Sequence, residues 1–388
     1  MRTSPCRLRF YAMLVVLAGA LWTPVATALI GDPVRGKTLY SDTYKCADCH
    51  AAHPGPNIDT VLVGGVTSDG ILASIRDESQ MTGRYTATLA QNATDVADIA
   101  AYLASVMMPG VPDLNQHGLS GSWYKAATSG QGVEVEIFPD MLSSSHGFTQ
   151  VSWFTYDVTA GGADHQRWYT ASGPVLTGPA SATLTIYQNA SGNFDALPVT
   201  TATAVGTAVL SFDSCTSGRL SYAFTDGSGR AGSIALTRLT QNMTCSSTSA
   251  RPTDADFALS GNWLDPAMSG QGVTLEVNPA SNTAFIAWYT YAPNAAGTGP
   301  TGERWYTALG SFAAGARSIP LTFYQTTGGV FDTATPAGQA SVNVGTGTLT
   351  FQSCTSATMA FSFTGGSSNG MSGSVALSRI GPTPPGCS

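Results

Sequence analysis

Two stretches of this chain, residues 118–245 and 258–388, are copies of one another. Leu119-Ser120-Gly121-Ser122-Trp123 returns as Leu259-Ser260-Gly261-Asn262-Trp263, and Ser129-Gly130-Gln131-Gly132-Val133 returns as Ser269-Gly270-Gln271-Gly272-Val273. Arg167-Trp168-Tyr169-Thr170-Ala171 returns as Arg304-Trp305-Tyr306-Thr307-Ala308, and Ser214-Cys215-Thr216-Ser217 as Ser353-Cys354-Thr355-Ser356. The offset stays between 135 and 141 residues, so the copies differ only by small insertions. A repeat of this length is a duplicated domain, since each copy can bury a core of its own. The polar stretch 246–257 separates the copies, and residues 109–117 link the first copy to a domain over 29–108. The chain is therefore expected to hold three domains behind a leader.

Turn-forming residues divide each copy into eight short segments. In the first they lie near Trp123 and over 133–138, 151–156, 167–171, 182–187, 208–212, 220–224 and 233–239. Val133, Val135 and Ile137 alternate with Glu134 and Glu136, the period of a half-buried strand. Successive strands without intervening helices predict an antiparallel all-β domain. Eight of them can close into a barrel, which removes exposed edges; an open two-sheet sandwich is the alternative. Gly121 and Trp123 on the first strand, with Arg238 at the end of the last, resemble the calycin barrels, as do Gly261, Trp263 and Arg379. That resemblance implies an arginine packed across the tryptophan where each barrel closes.

Four cysteines lie in the repeats, two per copy. Of the three pairings open to them, Cys215–Cys245 with Cys354–Cys387 alone keeps each copy self-contained. Disulfides fit an oxidising compartment. Little else in the repeats suggests catalysis. Glu136 and Glu276 correspond, as do Gln131 and Gln271, and Asp195 and Asp332 recur after phenylalanine in loops near glycine. They read as a solvated strand face and turn residues. Three tryptophans per copy, at 123, 153 and 168 and at 263, 288 and 305, read as packing. His117, His146 and His165 occur only in the first copy or its linker, so none is a duplicated base.

The chemistry lies upstream. Cys46-Ala47-Asp48-Cys49-His50 is a C-x-x-C-H motif, the pattern of c-type haem attachment. Two thiols one helical turn apart reach two vinyl groups of one porphyrin, and the adjoining imidazole reaches the iron. A thioredoxin-type pair would want a βαβ setting, and zinc would need further ligands beyond the nearby His53. The surroundings resemble a small class I cytochrome c, an all-α domain over residues 29–108. Gly36-Lys37-Thr38-Leu39-Tyr40 is similar to the end of that family's first helix, and residues 95–105 to its last. Val96, Ile99, Ala100 and Leu103 fall on one helical stripe, with Asn92 or Thr94 as cap and Asp95 and Asp98 favouring the helix start. The resemblance implies one covalent haem c and a methionine opposite His50. Met81, in a loop before the last helix, holds that place, with Ile71 and Ile75 on a short helix ahead of it. Met107 and Met108 follow the last helix and His53 is too near His50 to reach the opposite face. Pro54 and Pro56 shape the chain after the motif, where a carbonyl can orient the imidazole.

Arg2, Arg7 and Arg9, the apolar run 10–21 and Ala26-Thr27-Ala28 form a secretory signal pattern, with cleavage expected after Ala28 and the protein periplasmic or secreted. The run is too short to span a bilayer, and no later stretch is long enough. Cys6 would leave with the leader. With 24 acidic residues against 17 Lys and Arg, the chain does not suit nucleic acid. The expectation is a monohaem electron-transfer protein rather than an enzyme, with a redox partner and β modules that dock it, a cell surface or a small ligand. The alternatives are a haem enzyme or gas sensor with an open iron site, and an adhesion or ligand-binding protein with an accessory haem.

Overall fold

The computed structural model describes residues 31–50, 67–107, 111–128, 130–247, 254–338 and 340–387. His53, Pro54, Pro56, Met108 and the leader, with Cys6 and Ala28, lie outside them. The chain divides into two compact units, Met1–Leu103 and Ala104–Ser388.

The regular elements among the described residues of the first unit are all helical. Helix α1, Pro33–Thr38, starts where the Asp32 carboxylate accepts from the Val34 and Arg35 amides, with proline at its first position. It runs into a π-helical turn, Leu39–Thr43. Then come α2 (Ala47–His50), α3 (Ser68–Asp77) and α4 (Ser79–Tyr85). Helix α5, Ala93–Met107, covers the expected last helix, and its Asp95 amide donates to Asn92 Oδ1 at 3.2 Å. Met107 is thus the final residue of α5 rather than beyond it. α1 and α5 meet at Gly36, where a Cβ would lie 1.9 Å from the Asp98 carbonyl oxygen; only glycine lets the two backbones approach so closely. The Tyr40 and Tyr102 rings meet at 5.4 Å. Asp95 and Asp98 do more than favour a helix start. Both are buried and paired with Arg35, and Asp98 also accepts the Asp32 amide at 2.7 Å.

The second unit holds sixteen strands in two closed antiparallel barrels, each an eight-strand meander, so the sandwich alternative is excluded. The first contains β1 (Gly121–Tyr124), β2 (Gly132–Ser143), β3 (His146–Tyr156), β4 (Gln166–Leu176), β5 (Ser181–Gln188), β6 (Thr203–Phe212), β7 (Ser217–Phe224) and β8 (Ala231–Arg238). The second contains β9 (Gly261–Leu264), β10 (Gly272–Asn278), β11 (Thr283–Tyr291), β12 (Glu303–Ser311), β13 (Ser318–Gln325), β14 (Val342–Phe351), β15 (Ser356–Phe363) and β16 (Ser372–Arg379). Each closes on its tryptophan strand, where Trp123 lies opposite Val133 on one side and Arg238 on the other. The guanidinium of Arg238 stands 5.4 Å from the Trp123 ring and that of Arg379 4.6 Å from the Trp263 ring. Disulfides Cys215–Cys245 and Cys354–Cys387 tie the β6–β7 and β14–β15 turns to the segments after each last strand.

The barrels pack against each other through equivalent surfaces, the isologous pattern of a two-fold dimer built within one chain. Trp168 Nε1 donates to the Thr290 carbonyl at 3.1 Å, and Trp305 Nε1 to that of Thr155 at 2.8 Å. This packing overturns the expected solvated face of β2. Glu136 accepts the Asn262 amide and faces Arg379 at 3.5 Å; reciprocally, Glu276 accepts the Ser122 amide at 2.8 Å and faces Arg238 at 3.8 Å. Glu134, Glu136 and Glu276 are all buried, because the outward side of one barrel is covered by the other.

Candidate functional site

The C-x-x-C-H motif forms a single turn whose start is set by two unusual local features. Lys45 takes a left-handed conformation with φ 57°, and the Cys46 amide then donates back to the Tyr40 carbonyl at 2.8 Å. From there the amides of Cys49 and His50 both donate to the Cys46 carbonyl, at 3.1 and 3.0 Å. Tyrosines clamp the turn: Tyr40 donates its hydroxyl to the His50 carbonyl at 3.2 Å, and Tyr85 to the Tyr44 carbonyl at 3.1 Å. Tyr44 in turn donates to Asp95 Oδ2 at 2.6 Å, and burial with that carboxylate pushes its phenol up to about 12.

Cys46 and Cys49 are both free thiols, one buried and one exposed. Burial raises the Cys46 thiol, an effect partly offset by the neighbouring Tyr85. Side chains one turn apart, not joined to each other, with an imidazole on the next residue, match the donor set that a covalently held haem requires. Among the described residues no three His, Cys, Asp or Glu side chains converge as a cage for a metal ion.

Met81 lies in a helix, not in the loop that the sequence suggests. Thr82 anchors α4 to α3 by donating to the Ile75 carbonyl at 2.7 Å, and Ile71 and Ile75 are buried beneath. Met81, Arg84 and Tyr85 stand at i, i+3 and i+4, on one face of α4. Two of the three touch the motif: Arg84 pairs with Asp48 at 3.3 Å, and Tyr85 reaches Tyr44 and Cys46. Half-buried Met81 therefore stands on the motif side of α4, about one turn further along.

The barrels contain a second constellation that sequence reasoning missed. The β13–β14 loop of the second repeat inserts Phe331 into the first barrel, against Trp153 at 5.0 Å and Tyr222 at 5.6 Å. Reciprocally, the β5–β6 loop inserts Phe194 into the second barrel, against Trp288 at 5.3 Å and Phe361 at 5.7 Å. Each loop is seated by a glutamine. Gln131 donates to the Val330 carbonyl at 2.9 Å and accepts the Asp332 amide at 3.0 Å. Gln271 donates to the Asn193 carbonyl at 3.0 Å and accepts the Asp195 amide at 3.1 Å. Asp195 and Asp332 are turn residues as expected, at φ 40° and 43°, but in turns that close a neighbour's barrel. The recurring Phe-Asp was the available signal, since an aromatic repeated in a polar loop has to find cover.

The remaining candidates are structural. Trp123, Trp153, Trp263 and Trp288 fill barrel cores, while Trp168 and Trp305 lie between the barrels. His117 packs edge-on to Phe257, its counterpart in the second copy, at 5.3 Å, and burial lowers it to about 3. His146 and His165 sit in exposed hydrogen bonds.

No family model matches this chain. No curated protein matches it. Among solved structures it is similar to Aeromonas veronii immune modulator A, with 13% identity over 72% of this chain and 99% of that one. The TM-score is 0.22, too loose a superposition to carry an argument about this molecule.

Proposed function

We propose that the chain is an exported monohaem c-type cytochrome that carries single electrons, its first unit a small all-α cytochrome c domain. The observation that supports this most strongly is the clamped turn bearing two free thiols and an imidazole, with Met81 on the facing side of α4. Cys46 and Cys49 would carry the porphyrin, and His50 and Met81 would hold the iron. When bound, the haem supplies a one-electron ferric–ferrous couple. The chain's own part is to hold the motif turn rigid through Tyr40, Tyr44 and Tyr85 and to offer the Met81 thioether from α4. The barrel pair docks a redox partner or surface material, and its disulfides suit export behind the 1–28 leader.

Visible spectroscopy of protein matured in a host that attaches haem c tests this reading. One covalent haem, lost in Cys46→Ala/Cys49→Ala, is expected, with no carbon monoxide binding by the reduced form. Met81→Ala is expected to open the iron to carbon monoxide. Ready binding by the unsubstituted protein would instead mark an open-site sensor or enzyme.

A further inference from the structure

The two barrel mouths share one plan but are held by different chemistry. Both receive a phenylalanine from the opposite repeat over a seating glutamine, and the positions around that frame that differ include three that change charge or hydrogen bonding. Lys125 corresponds to Asp265, Tyr222 to Phe361 and Arg230 to Met371. At the first mouth Lys125 Nζ and the Tyr222 hydroxyl both bind the Asp332 carboxylate, at 3.0 and 2.8 Å. The Arg230 guanidinium lies 4.8 Å from the centre of the Phe331 ring and is itself held by Asp226 and the Tyr169 hydroxyl. At the second mouth an acid, Asp265, occupies the position of that lysine and acts electrostatically on Asp195. Phe361 has no hydroxyl to offer, and Met371 carries no charge to place on the Phe194 ring.

We propose that the Phe194 loop, residues 189–202, is a pH-weakened plug that opens from the second barrel about tenfold more often at neutral pH than in acid, while the opening of the Phe331 loop does not change with pH.

The groups around Asp195 give the pH response its sign. Its own loop has no other charge. Asp265, just past β9, is the ionisable group that acts on it, while Gln271 before β10, Phe361 on β15 and Met371 before β16 are neutral. Tyr291, at the end of β11, is engaged as a phenol with Thr200 at 3.1 Å. Seating the loop half-buries Asp195 beside Asp265, and the two effects push its carboxyl up to about 6. A released loop would titrate near the ordinary value of about 4. Protons therefore favour the seated form, and the preference fades as pH rises through 6. The gap could shift the equilibrium about a hundredfold in a fully buried site; for a half-exposed carboxylate about tenfold is expected. Release would uncover the ring faces of Trp288, Phe361 and Phe363, all of which Phe194 now contacts.

Hydrogen–deuterium exchange on the full chain at pH 5 and pH 7.5 tests the plug, with residues 330–334 as an internal reference for 193–197. After correction for intrinsic rates, similar protection of the two loops is expected at pH 5. At pH 7.5 about tenfold less is expected for the Phe194 loop. Asp265→Lys should restore protection at pH 7.5 by supplying the missing lysine, and Asp195→Asn should remove the pH response. Equal protection of the unsubstituted loops at both pH values overturns the proposal, whether or not the variants fold. So does a pH-dependent difference that survives in Asp195→Asn.

Discussion

Glu303 and Gln166 stand at equivalent positions of the two repeats, and only one of them can carry a charge. Glu303 is fully buried and accepts the Trp168 amide at 2.9 Å and Gln188 Nε2 at 3.0 Å. Burial outweighs those bonds and pushes its carboxyl up to about 8. Because an unfolded glutamate titrates near 4, the folded state holds a proton that the unfolded one has lost between about pH 4 and 8. This group's stabilising effect is complete below about pH 4 and gone above about pH 8, falling by about 1.4 kcal/mol per pH unit between. Glu303→Gln should therefore flatten the slope of urea-unfolding stability between pH 5 and 8; an unchanged slope would show that the proton lies elsewhere. Such burial was not legible in the sequence. Glu134 and Glu136 alternate with valines as on any amphipathic strand, and only the second barrel turns their face inward. The C-x-x-C-H pattern, by contrast, is legible because it lies within five consecutive residues.

At the scale of the element, α4 shows why the helical setting of Met81 was not legible. Its sequence, Ser79-Gln80-Met81-Thr82-Gly83-Arg84-Tyr85, contains polar residues and a glycine of modest helix propensity. Contacts from Thr82 to α3 and from Arg84 and Tyr85 to the motif turn hold it helical. Local pattern reads loop there, and tertiary contacts override it. The strands and their closure were legible because turns and period agree from end to end. So were the disulfides, since the duplication fixed the pairing. Cys215–Cys245 spans 30 residues, and closing a loop of that size in the unfolded chain contributes about 3–4 kcal/mol. Cys215→Ser/Cys245→Ser should lower urea-unfolding stability by about that amount; a loss below about 1 kcal/mol would show that the tail after β8 is held by other contacts.

In the whole molecule, the two repeats are parts of one folding unit although each closes its own barrel. Phe331 belongs to the core of the first barrel and Phe194 to that of the second. The face between them contains Trp168, Trp305 and the Glu136–Arg379 and Glu276–Arg238 pairs. Cutting them apart leaves two unfilled mouths and buried carboxylates without their partners, losses of several kcal/mol on each side. Residues 111–247 expressed alone should fail to give a cooperative thermal transition as a monomer, and a sharp monomeric transition would contradict this account. The same reciprocity sets an order of events during synthesis. The first barrel leaves the ribosome complete in its strands but lacking one core ring, which belongs to a loop not yet translated. It must keep an aromatic opening out of reach of other chains for as long as most of the second repeat takes to appear. A rare-codon pause before residue 331 has emerged from the ribosome would lengthen that exposure and lower the yield of soluble protein, whereas a pause after it has emerged would not.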